Sequence, residues 1–161
     1  MNYDKSELRR NQMDLLISGR AVIFFGAWSI IKCFFEMSYS DGFKEVLFGD
    51  NRYLLEKYLI LIFIILLQAF DLFLRVYVGK KAIETAQGHQ TSNTYVYLAI
   101  LLLVVSLLSC YECFRVNNIY ISSADRIITI VVELTSSFNF CELIYSSRKV
   151  KRLQSCHDER E

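Results

Sequence analysis

Residues 94–111 read TYVYLAILLLVVSLLSCY, without one charged side chain. That block approaches the ~20 apolar residues that a helix needs to cross ~30 Å of hydrocarbon. Residues 58–70, YLILIFIILLQAF, are nearly as apolar, and the run continues past Asp71 and Arg75 to Val78. Neither block has a polar stripe at helical spacing. A helix made from either is apolar all round and has no face to present to water, which weighs against a soluble four-helix bundle.

Two further blocks are interrupted. AVIFFGAWSII at 21–31 lies between Arg20 and Lys32, and residues 127–144 carry Glu133 and Glu142. Alone, either would serve as a core helix of a soluble domain. Beside two cleaner spans they read as membrane helices with polar groups inside. The expected fold is therefore all-α, an antiparallel four-helix transmembrane bundle in one domain over residues 1–161, with spans at about 14–37, 53–79, 94–114 and 124–146. Mean hydropathy is only +0.29, consistent with charged tails and loops diluting apolar helices.

Where the charges lie sets the expected orientation. With the N-terminus inside, Lys5, Arg9, Arg10, Lys80, Lys81, Arg148, Lys149, Lys151 and Arg152 all fall on the cytoplasmic side. The outer loops keep Lys44, Arg52 and Lys57, offset by Asp41, Glu45, Asp50 and Glu56, and Arg115. The bias places the protein in the plasma membrane with both termini cytoplasmic. A cleaved signal peptide is not expected, because Arg20, Lys32 and Glu36 interrupt the first apolar block. Tyrosines at 39, 53, 58, 77, 95, 97, 111, 120 and 145 fall near the span ends, the interfacial placement of a ring with one dry and one wet end.

Local signals mark the ends. Ser6 is a plausible start for the first helix, after a polar lead-in. Phe43, Val46, Leu47 and Phe48 suit a short amphipathic piece on the membrane surface. Gly79, followed by Lys80 and Lys81, reads as the C-terminal stop of the second helix. The tail ending CHDERE is expected to be loosely ordered.

The second-helix ending DLFLRVYVGKKA, with GAWSIIK at 26–32, resembles an uncharacterised group of small bacterial four-helix membrane proteins. The resemblance covers about a third of the chain. It implies a membrane location and a recurring Asp/Arg pair, and no activity.

Ionisable groups in hydrocarbon cost several kcal/mol unless paired or wet, so each needs a partner. Asp71 and Arg75 are four apart with Gln68 a turn before, and Lys32 and Glu36 share that spacing. Either the pairs neutralise within each helix, or Arg20 reaches Asp71 and ties two helices together. On the fourth helix Asp125, Thr129, Glu133 and Ser136 share one face, which must look into the bundle, and Glu133 lies nearest mid-membrane. A central carboxylate is either a hydrogen-bonded structural group or a proton or cation site.

Cys110 and Cys113 have the C-x-x-C spacing of redox motifs. A membrane disulfide-exchanging enzyme needs a second cysteine pair in an outer loop, and 38–52 and 116–123 hold none. Packing is the stronger reading. Ala99, Ser106, Cys110 and Cys113 form a small-residue strip that admits another helix closely, and Gly19 and Gly26 supply a matching strip. No nucleotide-binding, zinc-protease or hydrolase motif is present, and His89 and His157 sit in polar segments. No metal or cofactor is expected, and no nucleic acid.

The expected function is a non-enzymatic accessory or interaction component whose partners are the lipid bilayer and either a second copy or another membrane protein. Next comes a small proton- or ion-coupled transporter using Glu133 with Asp71. A membrane thiol-disulfide oxidoreductase follows.

Overall fold

The computed structural model describes residues 2–39, 54–89, 92–115 and 123–158. They form four helices and no strand: α1 (Asn2–Tyr39), α2 (Leu54–Ala86), α3 (Thr94–Arg115) and α4 (Ser123–Asp158). Each contains a stretch long and apolar enough to cross a membrane. With no proline in the chain, nothing interrupts the backbone ladder of any of them.

Residue pairs define how the helices lie together. Along α1, Gly19 meets Gly79, Ala82 and Ile83 of α2, Gly26 meets Leu72 and Arg75, and Ser29 meets Gln68. Between α1 and α4, Glu7 bonds Lys149 and Lys32 bonds Thr129. Between α3 and α4, Tyr95 bonds Ser147 and Ser106 bonds Glu133. α1 thus packs on α2 and α4, α3 packs on α4 and more lightly on α2, and α2 touches α4 across the middle.

The third helix follows its expected limits within a residue, and the other three run longer. Gly79 does not stop α2. It stays in helical conformation because it is the contact point with α1: a Cβ there would lie 2.5 Å from Ile23 Cγ1 and 2.6 Å from the Gly19 carbonyl oxygen. The stop is Gly88, whose φ of +89° suits a residue without Cβ. His89 N–H reaches Glu84 O at 3.1 Å and Gly88 N–H reaches Thr85 O at 3.1 Å, the paired bonds of a Schellman cap.

The N-terminal lead-in and the C-terminal tail are helical as well, from Asn2 and as far as Asp158. Their apolar residues explain it. Leu8 packs against the core, Leu15 and Val150 are fully buried, and Glu7 holds Lys149 at 2.6 Å. The segment 40–53, with the amphipathic piece expected there, lies outside the described residues, as do the side chains of Asp125, Glu36 and His157.

The core gathers in one half of the bundle. Leu15, Val22, Val78, Ala82, Tyr95, Ala99, Leu102, Phe140, Leu143 and Val150 are buried together. Towards the other end the helices present apolar side chains outward, and in α2 from Tyr58 to Phe73 nearly every large one is exposed. The glycine strip of α1 faces α2. The small strip of α3 faces α4, so the expected match between the two strips does not occur.

Candidate functional site

The polar groups converge on α4. Thr129, Glu133 and Ser136 recur at four- and three-residue spacing and face inward, as their spacing predicts. Each takes its partner from a different helix. Lys32 Nζ of α1 donates to Thr129 Oγ1 at 2.7 Å. Ser106 Oγ of α3 donates to Glu133 Oε2 at 2.5 Å. Arg75 Nη1 of α2 donates to Ser136 Oγ at 3.2 Å.

Arg75 is the most enclosed charge of the set, 7% exposed. Its Nε holds Asp71 Oδ2 at 2.8 Å, its guanidinium carbon lies 5.7 Å from the centre of the Phe140 ring, and Ser136 takes a third contact. Pairing, a cation–π contact and a hydroxyl acceptor together offset the cost of holding a guanidinium away from water. The pair lies within α2. Arg20, the alternative partner, is exposed and stands beside Gly19, which packs on Gly79. Asp71 lies two turns further along α2, roughly 12 Å at 1.5 Å per residue, so the structure does not bring Arg20 to Asp71.

Glu133 sits in a small hydroxyl network. Ser106 also lies 3.3 Å from the Glu133 backbone carbonyl, and Ser137 donates to Ser106 at 3.2 Å. On the α1 side, Trp28, Lys32, Arg75, Thr129, Glu133 and Ser136 line a cleft of about 50 Å³, with Phe25, Ser29 and Val132 completing its wall. That is room for a few water molecules or one small ion, far below the ~300 Å³ of an ordinary organic-ligand pocket. Next to it, Gln68 Nε2 donates to Ser29 Oγ at 2.5 Å, a further polar tie between α1 and α2.

Compared with protein-family models, curated proteins and solved structures, the chain matches none. Function therefore has to be argued from the site itself.

Of the residues expected to matter, Asp71, Arg75 and Glu133 fall in one region and Arg20 falls outside it. Cys110 and Cys113 are free thiols. Cys110 is buried on the strip facing α4, one turn beyond Ser106, and Cys113 is half-buried. Among the described residues no group of three or more His, Cys, Asp or Glu side chains is placed to hold a metal ion. Sequence reasoning counted Ser106 only as a small residue and did not single out Ser137 or Trp28. The adjacent serines Ser136 and Ser137 inside the stretch of α4 apolar enough to cross a membrane were the available signal, since a hydroxyl in such a place requires a bonding partner.

Among the tyrosines near span ends, Tyr95 takes the packing alternative. It is 1% exposed and its hydroxyl bonds Ser147 at 2.5 Å, so it packs between helices rather than standing at an interface. Tyr58, Tyr97, Tyr111 and Tyr145 do face outward.

Proposed function

We propose that this chain is a multi-pass protein of the plasma membrane, an antiparallel four-helix transmembrane bundle with both termini in the cytoplasm, and that it serves as a non-enzymatic accessory or interaction component. The carrying observation is the use made of the polar groups: Thr129, Glu133 and Ser136 of α4 each bind a different helix. Where lipid replaces water the hydrophobic effect no longer drives helices together, and interhelical hydrogen bonds with small-residue contacts take its place. The polar cluster then acts as the bundle's lock.

Several further features support the reading. Paired residues run in opposite order along neighbouring helices, from Gly19 with Gly79 to Ser29 with Gln68 and from Glu7 with Lys149 to Lys32 with Thr129. Thirty-three residues of α2 make a helix of ~50 Å, longer than the ~30 Å hydrocarbon layer. Its apolar, uncovered stretch suits lipid or the helix of another membrane protein. Lysines and arginines gather at the end holding Arg10, Lys80, Lys81 and Lys149, which favours that end as cytoplasmic. Kinship with small bacterial membrane proteins is part of this proposal and rests on DLFLRVYVGKKA and GAWSIIK.

The test is extraction followed by gentle purification. The protein should stay with membranes after an alkaline wash, need detergent for release, and bring a defined partner or a second copy with it. Recovery as a folded, detergent-free monomer from the aqueous fraction would overturn the reading.

A second reading, ion- or proton-coupled transport, is favoured by one observation: Glu133 and Arg75 line the same cleft with Lys32. Proton-driven flux in vesicles that disappears with Glu133→Gln would support it, and flux indifferent to that change would remove it.

A further inference from the structure

A second cleft opens between α1 and α4 at the end of the bundle that the lysines and arginines mark as cytoplasmic. It measures about 560 Å³ and is lined by Glu7, Arg10, Asn11 and Asp14 of α1 and by Tyr145 and Lys149 of α4, with Ser6 at its edge. Lys149 Nζ holds Glu7 Oε1 at 2.6 Å and lies 5.8 Å from the centre of the Tyr145 ring. Asn11 is buried and donates its amide to the Glu7 carbonyl at 2.7 Å. These groups are fixed to one another.

Arg10 and Asp14 are the two charges left over. They stand four residues apart on one helix, the spacing at which an arginine and a carboxylate ordinarily pair. Among the described residues neither makes an ion pair or a hydrogen bond, with each other or with anything else. Glu7, three residues before Arg10, is engaged by Lys149. One turn separates the two side chains, about 6 Å along α1. A single ligand that reaches both therefore carries an anionic and a cationic group a few bonds apart. The forked guanidinium of Arg10 matches a phosphate, and the Asp14 carboxylate takes an ammonium.

Below the cleft the same helix faces turn apolar. Ile17 and Phe24 continue the three- and four-residue recurrence of Arg10 and Asp14 along α1, and Phe138 lies two turns below Tyr145 on α4. All three are exposed. A charged notch set above an uncovered apolar strip fits an amphipathic molecule, and the volume is that of a small-molecule site rather than of a lone ion. Helical side chains lean toward the N-terminus, so Arg10 and Asp14 both meet the headgroup layer from below.

We propose that this cleft binds one phospholipid whose headgroup carries a primary amine. Arg10 takes its phosphate, Asp14 takes its ammonium, and its acyl chains lie along Ile17 and Phe138. No bond is made or broken. The site rests on the membrane reading above and adds a specific lipid to its partners.

The full chain, purified in detergent, is titrated with dioleoyl-phosphatidylethanolamine or dioleoyl-phosphatidylcholine, and bound lipid is counted by native mass spectrometry. The expected result is one ethanolamine lipid per chain, held about tenfold more tightly than the choline lipid, whose trimethylated nitrogen has no proton to donate. Asp14→Asn should erase that preference. Arg10→Gln should weaken both lipids about tenfold. Arg20→Gln, an exposed cation elsewhere on α1, should bind as the unaltered chain does. The melting temperature should rise with added ethanolamine lipid in the unaltered chain and not in Arg10→Gln, a second readout that also shows the variant to be folded. Phosphatidylglycerol, which has no amine, should not displace the bound lipid, and soluble phosphoethanolamine, which has no chains, should not compete.

A ladder of adducts equal for both lipids and unchanged in Arg10→Gln and Asp14→Asn would overturn the site. Competition by soluble phosphoethanolamine at equal concentration would overturn the lipid as its occupant. A chain that needs detergent for release and carries no such lipid removes the site and leaves the membrane reading standing, whereas a chain folded without detergent removes both.

Discussion

Ser106 on α3 donates its hydroxyl to the Glu133 carboxylate on α4 across 2.5 Å, and receives a hydrogen bond from Ser137 at 3.2 Å. That relationship joins the third helix to the polar stripe of the fourth at the level where Arg75 joins the second. A double-mutant cycle of Ser106→Ala and Glu133→Ala, measured by thermal unfolding in detergent, should show a coupling of about 1 kcal/mol, the scale of interhelical hydrogen bonds in membranes. Strict additivity of the two changes would show that the contact is not made.

Removing Asp71 strips the buried Arg75 of its ion pair, while removing Glu84 breaks only a half-exposed pair with Lys81 at 2.6 Å. Asp71→Leu should therefore lower stability by about 3 kcal/mol, or stop accumulation of the protein, because a buried charge is left uncompensated. Glu84→Leu should leave the melting temperature almost unchanged, because solvent screens that pair. Equal losses of melting temperature would contradict the assignment of Arg75 as a buried, paired cation.

At Gly79 an added methyl group meets the backbone of α1, and at Gly26 it meets the Arg75 and Leu72 side chains at 3.2 Å. Gly79→Ala should destabilise by about 1–3 kcal/mol through overpacking against an oxygen that cannot move away. Gly26→Ala should cost clearly less. Melting curves of the two variants, measured side by side, decide this, and a harmless Gly79→Ala would mean that α1 and α2 lie further apart.

Ser18 and Tyr95 are both buried hydroxyls with opposite expected outcomes. The Ser18 hydroxyl has no hydrogen-bond partner among the described residues, whereas Tyr95 bonds Ser147. Ser18→Ala should be neutral or stabilising by up to about 1 kcal/mol. Tyr95→Phe should cost about 1 kcal/mol because it orphans Ser147. Tyr97→Phe, on the exposed side of α3, is the control and should change nothing.

Much of the architecture was legible in the chain before any tertiary information. Uncharged blocks at 58–70 and 94–111 demand helices with no wet face, because a backbone in an apolar setting has to bond to itself. The inward face of α4 followed from the three- and four-residue recurrence of Thr129, Glu133 and Ser136, and the Asp71–Arg75 pair from one helical turn of spacing. These are short-range properties, decided by the pitch of a single helix.

What only the assembled bundle decided was partnership. Spacing could not say that Gly79 is a contact and Gly88 the stop, since both are glycines near a helix end and differ only in what stands opposite. Nor could it send Lys32 to Thr129, Ser106 to Glu133 and Tyr95 to Ser147, or leave Arg20 away from Asp71. Those outcomes depend on the rotation and relative height of neighbouring helices, which are set by the sum of many side-chain contacts from several segments and are written in no single one.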